Sequence, residues 1–256
     1  MAKEQRGIQS IDVGGRLLQA LAVSSGPMML KDIAMAAEMP PAKAHAYLVS
    51  FCKLGLMEQD AETGRYDLGA LSLQLGLASL NRLDAVKIAT PEMSELAERT
   101  GQSVAIAVWG NYGPTIVRYQ QSVRPIHINM RTGTVMSLTA TATGHVFAAF
   151  LPKNQVDAAL NSIYGDVKQR AAVKKTLSGL ESTLANVRKR GIARAEGYPL
   201  PGINAFSAPV FDHTGVIALA LTILGPNAEF DASWDSSLGS ACLEAAKRVS
   251  ARLGAL

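Results

Sequence analysis

The sequence predicts an α+β protein, with a small helical unit ahead of a larger unit of mixed strands and helices, and three observations predict it. Residues 30–56 hold a short apolar helix pattern, a Pro40-Pro41 break and a longer amphipathic pattern that closes on Gly55, the arrangement of a helix-turn-helix. Two short extended runs, 56–60 and 65–68, flank Ala61-Glu62-Thr63-Gly64 and read as a hairpin. Beyond residue 100, strand and helix patterns are interleaved, which suggests an antiparallel sheet with helices packed on it. A chain of 256 residues, 48% hydrophobic and 18% charged, has the length and apolar content to build such cores.

Composition narrows the function classes. No apolar run approaches the roughly 18 residues that a membrane span needs, and residues 1–7 have no apolar signal core, so the expected location is the cytoplasm and no membrane partner is expected. Cys52 and Cys242 lie far apart in helical patterns, which supports neither a disulfide framework nor a metal site, and buried free thiols are expected. The net charge of +4 hints at nucleic acid, but residues 1–80 hold seven Lys/Arg against eight Asp/Glu, whereas residues 81–256 hold eighteen against thirteen. The finer pattern is more telling. From Met39 to Met57 there is no acid, while Lys43 and Lys53 are present with His45 between them. DNA contact would then rest on a local basic face, doubled by dimerisation, rather than on a basic domain.

Taken in order, Ser10 is the expected N-cap of a first helix over 11–23, with Asp12 in its first turn and Ser24-Ser25-Gly26-Pro27 ending it. A second helix over 30–37 buries Ile33, Ala34 and Ala37. In the third, Ala44, Leu48, Phe51 and Cys52 recur at helical spacing toward the core. That leaves Lys43, Ala46, Tyr47, Ser50 and Lys53 on the opposite face, with Ala42 and His45 at the exposed N-terminal end. Recognition helices reach base edges with their N-terminal residues and hold phosphates with flanking polar ones. Ala42, Lys43, His45 and Ala46 are therefore expected in or near the groove, and Tyr47, Ser50 and Lys53 toward the backbone. Two plainer readings stay open: Tyr47 packed against the first helix, and His45 exposed without a role. The hairpin that follows would be a wing, with Thr63 and Arg65 near a phosphate or the minor groove, unless Arg65 is simply solvated.

Residues 69–83 carry leucines on more than one face, so this segment is expected to be a linker helix that needs a partner, either a second subunit or its own domain. A long helix over 85–100 contains Pro91, which would bend or divide it, and closes on Gly101. Strands are expected at 103–109, 115–120 and 126–130, then helices at 143–151, 155–162 and 173–189. Strands at 203–211 and 216–224 and a last helix over 234–253 complete the order.

Several linked motifs then resemble one family. Gln9-Ser10-Ile11-Asp12, Leu30-Lys31-Asp32-Ile33-Ala34, the Pro40 to Leu48 recognition region and Thr63-Gly64-Arg65-Tyr66 are similar to the winged helix-turn-helix of the IclR family of bacterial transcription regulators. Thr141-Ala142-Thr143-Gly144-His145 and Gly202-Ile203-Asn204-Ala205, with Ala208-Pro209-Val210-Phe211-Asp212 and Leu224-Gly225-Pro226, resemble its effector-domain signature. The resemblance covers nearly the whole chain. It implies a winged helix-turn-helix over 1–68, a linker and dimerisation helix over 69–84 and a GAF-like effector-binding domain over 85–256. It also implies a dimer or dimer of dimers and a small-molecule effector. The chain departs from the family where Ala42-Lys43 replaces a common Ser-Thr, where Ala46 replaces an Arg and where His145 replaces a common Lys.

The chemistry of the expected pocket follows from its residues. Thr139 to Gly144 ends where a helix begins, so the N–H groups of Gly144 and His145 would face an anion such as a carboxylate. Thr222 could add a hydroxyl and Asn204 or Ala205 a backbone group, while Met130, Leu138 and Ile203 would form an apolar wall. His127 joins them only if its strand is irregular. A small organic acid fits this set, with an aromatic body allowed by the room at Ala205; the plain alternative is a capped structural helix. Catalytic signatures are missing: there is no G-x-S-x-G, Walker loop, H-E-x-x-H or G-x-G-x-x-G, and His45, His127, His145 and His213 are scattered. No catalytic residues, metal or cofactor are expected. The sequence thus reads as a DNA-binding transcriptional regulator whose double-stranded operator is bound under control of a small organic acid. The alternative is a dimeric ligand-binding module whose helix-turn-helix contacts protein.

Overall fold

The structure, a computed structural model, describes residues 7–80, 82–122, 130–163 and 166–255. The chain divides into two compact units, Met1–Leu83 and Asp84–Leu256.

The first unit runs α1 (Gln9–Val23), α2 (Leu30–Ala36), α3 (Pro41–Leu54), β1 (Met57–Gln59), β2 (Tyr66–Leu68) and α4 (Ala70–Leu80). Its core gathers Leu17, Leu21, Ile33, Ala44, Leu48, Met57 and Tyr66, contributed by α1, α2 and α3 and by one inward residue from each strand. Helix α1 starts earlier than Ser10 predicts. The amides of Ile11 and Asp12 donate to the Ile8 carbonyl, so Ile8 occupies the cap position and Ser10 lies inside the helix. Helix α3 is bounded as expected. Pro41 suits the first turn because it has no N–H to leave unpaired. At the other end Gly55 takes φ 76°, the Gly55 amide donates to Cys52 and the Leu56 amide to Phe51, closing the last turn. The hairpin pairs Met57 with Leu68 and Gln59 with Tyr66. A bridge from Met28 to Tyr66 ties it to the segment before α2.

Helix α4 is fastened at its start by the Leu71 amide to the Gly55 carbonyl and by Ser72 Oγ to the Leu56 carbonyl. None of its residues is buried, and Leu73, Leu75 and Leu77 are at least half exposed.

The second unit runs α5 (Ala85–Thr100), β3 (Ser103–Gly110), β4 (Gly113–Gln120), α6 (Ala142–Phe150), α7 (Lys153–Ile163), α8 (Val167–Gly179), α9 (Glu181–Arg190), β5 (Ala193–Glu196), β6 (Ile203–Phe211), β7 (Ile217–Pro226) and α10 (Ser237–Arg252). The strands form one antiparallel sheet in the order β4-β3-β7-β6-β5. Alternation along β6 sends Phe206 to one face, where Gly239 of α10 rests on its ring, and Ser207 to the other, where it meets the Thr222 and Thr143 pair beneath α6. Arg248 of α10 joins Glu92 of α5 at 2.9 Å on the first face.

Three expectations change. Residues 173–189 are not one helix: α8 ends and α9 begins at Leu180, whose φ of −93° and ψ of 5° cap both. Strand β5 is not expected from the sequence, because four residues are too short to display an alternating pattern. Pro91 sits on an exposed side of α5, which runs through it undivided. Most of the strand expected at 126–130 lies outside the described residues, and Met130 itself is in no strand.

Candidate nucleic-acid interface and effector pocket

The outward side of α3 carries Ala42, Lys43, His45, Ala46, Ser50 and Lys53, all exposed, while only Ala44 and Leu48 are buried. Among the described residues neither Lys43 nor Lys53 is in an ion pair, so both ammonium groups are available to phosphates. Ser50 Oγ turns back to the Ala46 carbonyl at 3.1 Å. Tyr47 departs from its expected place. A Cβ on Gly14 of α1 would lie 3.0 Å from the Tyr47 and Phe51 rings, so Tyr47 packs over α1, half-buried, and Gly14 makes room for it. In the wing, Asp60 Oδ1 accepts from the Thr63 amide at 2.6 Å and the Thr63 hydroxyl at 2.8 Å. The backbone hydrogen bond from Thr63, followed by that from its side chain, holds the Asp60 carboxyl below its usual range. Arg65 reaches the Pro27 carbonyl at 3.1 Å through one guanidinium nitrogen. The tip is thus preformed, and both expected contact residues are engaged in bracing it.

In the second unit Met130, Met136, Ile203, Ala205, Thr222 and Leu224 surround a pocket of about 50 Å³ together with Thr141, Ala142 and Thr143 of the α6 N-terminus. Ala195 and the Tyr198-Pro199-Leu200 turn complete it. Four expected residues, Met130, Ile203, Ala205 and Thr222, are brought together here. The others are not. Leu138 packs in the core under α6 instead of lining the pocket. Asn204 faces the opposite side of the sheet, where it accepts from the Gly197 amide at 3.1 Å and donates to the Phe230 carbonyl at 3.1 Å. The backbone of Asn204 and Ala205 lies in a strand paired on both sides, so its N–H and C=O groups belong to the sheet. His127 lies outside the described residues.

The anion reading of Gly144 and His145 is corrected by the hydrogen bonds. The Gly144 amide donates to Thr141 Oγ1 at 2.9 Å, and the His145 amide to the Thr141 carbonyl at 2.9 Å. Neither N–H is open. Gly144 has a different reason to be glycine, since a Cβ there would strike the Ser137 carbonyl and the Leu138 backbone. The His145 ring is buried, with Nε2 3.2 Å from the Thr139 carbonyl and Nδ1 without a hydrogen-bond partner among the described residues. The two N–H groups of the first turn that remain unpaired among the described residues are those of Ala142 and Thr143, two positions earlier. Both residues are buried and line the pocket. Sequence reasoning misses this shift because it depends on Thr141, rather than Thr139, being the cap; the cap signal lies in the threonine run itself.

Beneath these amides runs a chain of hydroxyls. Thr222 Oγ1 is 2.9 Å from Thr143 Oγ1 and 2.8 Å from Ser207 Oγ, all buried. Met136 and Leu200, also missed, carry no signal beyond being apolar. No group of three His, Cys, Asp or Glu able to hold a metal ion occurs among the described residues. No helix of the described residues is long and apolar enough to cross a membrane.

Comparison with known proteins agrees with both units. Residues 77–251 match the family model described as bacterial transcriptional regulator IclR C-terminal, and residues 10–61 match the IclR helix-turn-helix domain. The crystal structure of Pseudomonas aeruginosa HmgR is similar with a TM-score of 0.87 at 34% identity, covering 97% of this chain and 99% of that one. The HTH-type transcriptional regulator BhcR of Paracoccus denitrificans is 26% identical over 97% of this chain and 88% of its own. The glycerol operon regulatory protein of Streptomyces coelicolor is 28% identical over 98% of each.

Proposed function

The chain belongs to the IclR family of bacterial transcriptional regulators, a family of DNA-binding regulators rather than enzymes, and from that premise we propose how it binds operator and effector. Ala42, Lys43, His45 and Ala46 meet the major groove, with Ser50 and Lys53 toward the phosphates. Tyr47 acts by holding α3 on α1. Thr63 and Arg65 present the wing, Arg65 through the guanidinium nitrogens not directed at Pro27. The exposure of this one face of α3, free of acids, supports the assignment. With neither the hydroxyl nor the arginine common in relatives, Lys43 and His45 carry most of the polar reading. Action on operator DNA implies a cytoplasmic protein.

The effector is a small organic acid. Its carboxylate sits on the Ala142 and Thr143 amides, where the α6 dipole favours negative charge, and its body lies against Met130, Met136 and Ile203. Two amides without a partner among the described residues, on residues that line this pocket, are the observation that carries this reading. A pocket of about 50 Å³ suits an acid of a few carbons; an aromatic ring requires the two flexible methionines to move aside. Relatives of this identity include one named for a glycerol operon, so a relative's name does not choose the ligand. Thermal shifts against a panel of short carboxylic acids test the pocket, since a ligand of the native state raises apparent stability. The reading requires a shift that Thr143→Val reduces; a panel without any shift rejects it.

Two subunits pair through the exposed leucines of α4, giving a dimer or a dimer of dimers, and the effector changes the spacing of the paired reading helices. Such coupling requires unequal effector affinity for the free and operator-bound protein. Equal affinities reject it. Binding to an operator fragment that weakens as salt rises separates this role from a module that uses its helix-turn-helix on protein, which needs no DNA even at low salt.

A further inference from the structure

A cavity larger than the pocket at the α6 N-terminus lies elsewhere in the second unit. A groove of about 700 Å³ opens at the other end of α6, between α7, α8 and α9. Its volume falls in the range typical of small-molecule sites, roughly 300–1,000 Å³. Leu151, Val156 and Leu184 are nearly fully buried at its floor and Leu177 of α8 is half-buried above them. The floor is therefore aliphatic, and no aromatic ring lines it among the described residues.

The rim is charged and almost balanced. Lys174 pairs with Asp157 at 3.2 Å. Arg188 pairs with Glu181 at 2.9 Å and donates through Nε to the Ala149 carbonyl at 2.8 Å, fixing the last turn of α6. Lys153 is left over. It is exposed, lines the groove, and among the described residues has neither ion pair nor side-chain hydrogen bond. Three cations against two acids leave one positive charge beside an aliphatic floor. The surroundings add to it: residues 153–190 hold eight Lys/Arg against three Asp/Glu, more than the whole chain's excess of +4.

We propose that this groove is a second ligand site, for an amphiphilic monocarboxylate whose single negative charge meets Lys153 and whose aliphatic body covers Leu151, Val156, Leu177 and Leu184. A monoanion completes the charge balance without breaking the two existing ion pairs. A dianion would compete with Asp157 and Glu181, and a neutral amphiphile would leave Lys153 without a counter-charge. Ala142 and Thr143 line the first pocket and Ala148 and Ala149 the groove, so opposite ends of one nine-residue helix face the two sites. The inference does not depend on what the first pocket binds.

Octanoate is the probe, titrated calorimetrically into the full chain with 1-octanol as its neutral counterpart. The expected result is one site per chain, with octanol binding about fivefold more weakly or worse, the loss expected for one partly exposed ion pair. Lys153→Gln should weaken octanoate by about the same factor, and Leu177→Gln by about tenfold because less apolar surface is covered. Lys153 is on the surface, so its variant folds; circular dichroism melts check all variants. Thr143→Val, in the other pocket, should leave octanoate affinity unchanged. The proposal is overturned if octanoate does not bind, if octanol binds as well, if both groove variants bind normally, or if Thr143→Val abolishes binding. That last result would put octanoate in the first pocket. Failure of the effector reading shows separately, as absence of thermal shifts with short acids.

Discussion

Helices α3 and α6, to which the proposed function assigns DNA and effector respectively, are built in opposite ways. Of the fourteen residues of α3 two are buried; of the nine of α6 seven are. Helix α3 begins on Pro40 and Pro41 without a side-chain cap, and one thin apolar stripe holds it down, leaving most of the rest exposed. Helix α6 is capped by Thr141 and mostly buried, and its first two residues line a small pocket. A reading helix needs exposed side chains and tolerates change between them. A sensing helix uses backbone, so its side chains are constrained by packing and its function is hidden from a residue-by-residue reading.

The contrast predicts that the largest mutational effects come from α6 through its backbone contacts and from α3 only through its inward stripe. Gly144→Ala puts a methyl against the Ser137 carbonyl and should destabilise the second unit by about 3 kcal/mol. Differential scanning calorimetry checks this, and a wild-type melting profile would show that α6 can shift, weakening the contrast. Leu48→Ala, on the inward stripe of α3, should cost about 2–5 kcal/mol and abolish operator binding. The effector-induced thermal shift of the second unit should survive; its loss would mean that the two units do not fold separately.

Smaller effects belong to exposed groups. Lys43→Ala should weaken operator binding and lower the slope of log K against log salt by about 0.9 for each phosphate no longer neutralised, with effector affinity unchanged. Loss of effector affinity as well would remove Lys43 from the reading face. The smallest effect is at the wing. Asp60 has a lowered carboxyl pKa, so its contribution to wing order is present above the ordinary value of 3.8 and disappears as pH falls through the lower folded value. The Thr63 amide resonance should titrate with a midpoint below 3.8 and cease to do so in Asp60→Asn.

How legible each part is in the sequence follows from the same contrast. The stripe of Ala44 and Leu48, the stop at Gly55 and the extended runs around Gly64 are local, and they suffice for the reading helix and wing. Residues 85–100 and 203–211 are bounded by patterns strong enough to give α5 and β6 their observed ends. The pocket is assembled from long-range contacts. Thr143 and Thr222 stand 79 residues apart, and nothing in either segment tells that their hydroxyls meet. Which threonine caps α6 decides which amides stay open, and Thr139, Thr141 and Thr143 are equivalent to pattern reading. Neighbourhood alone groups Asn204 with Ala205, whereas strand alternation puts the two on opposite faces. Tyr47 shows the reverse case, an exposed-face position claimed by packing because Gly14 leaves a gap opposite.

Burial also makes the two cysteines chemically unequal. Cys242 is fully enclosed by the sheet and α10, its Sγ directed at the Leu221 carbonyl at 3.5 Å, and desolvation pushes its thiol up to about 12. Cys52, on α3, is only partly covered, although burial and then Glu58 raise its thiol as well. A maleimide probe at mildly alkaline pH should therefore mark the native chain once, at Cys52, on the helix proposed to read DNA. Fluorescence or spin labelling of the unaltered sequence would then test, without an introduced thiol, whether the proposed dimer changes the spacing of its two α3 helices.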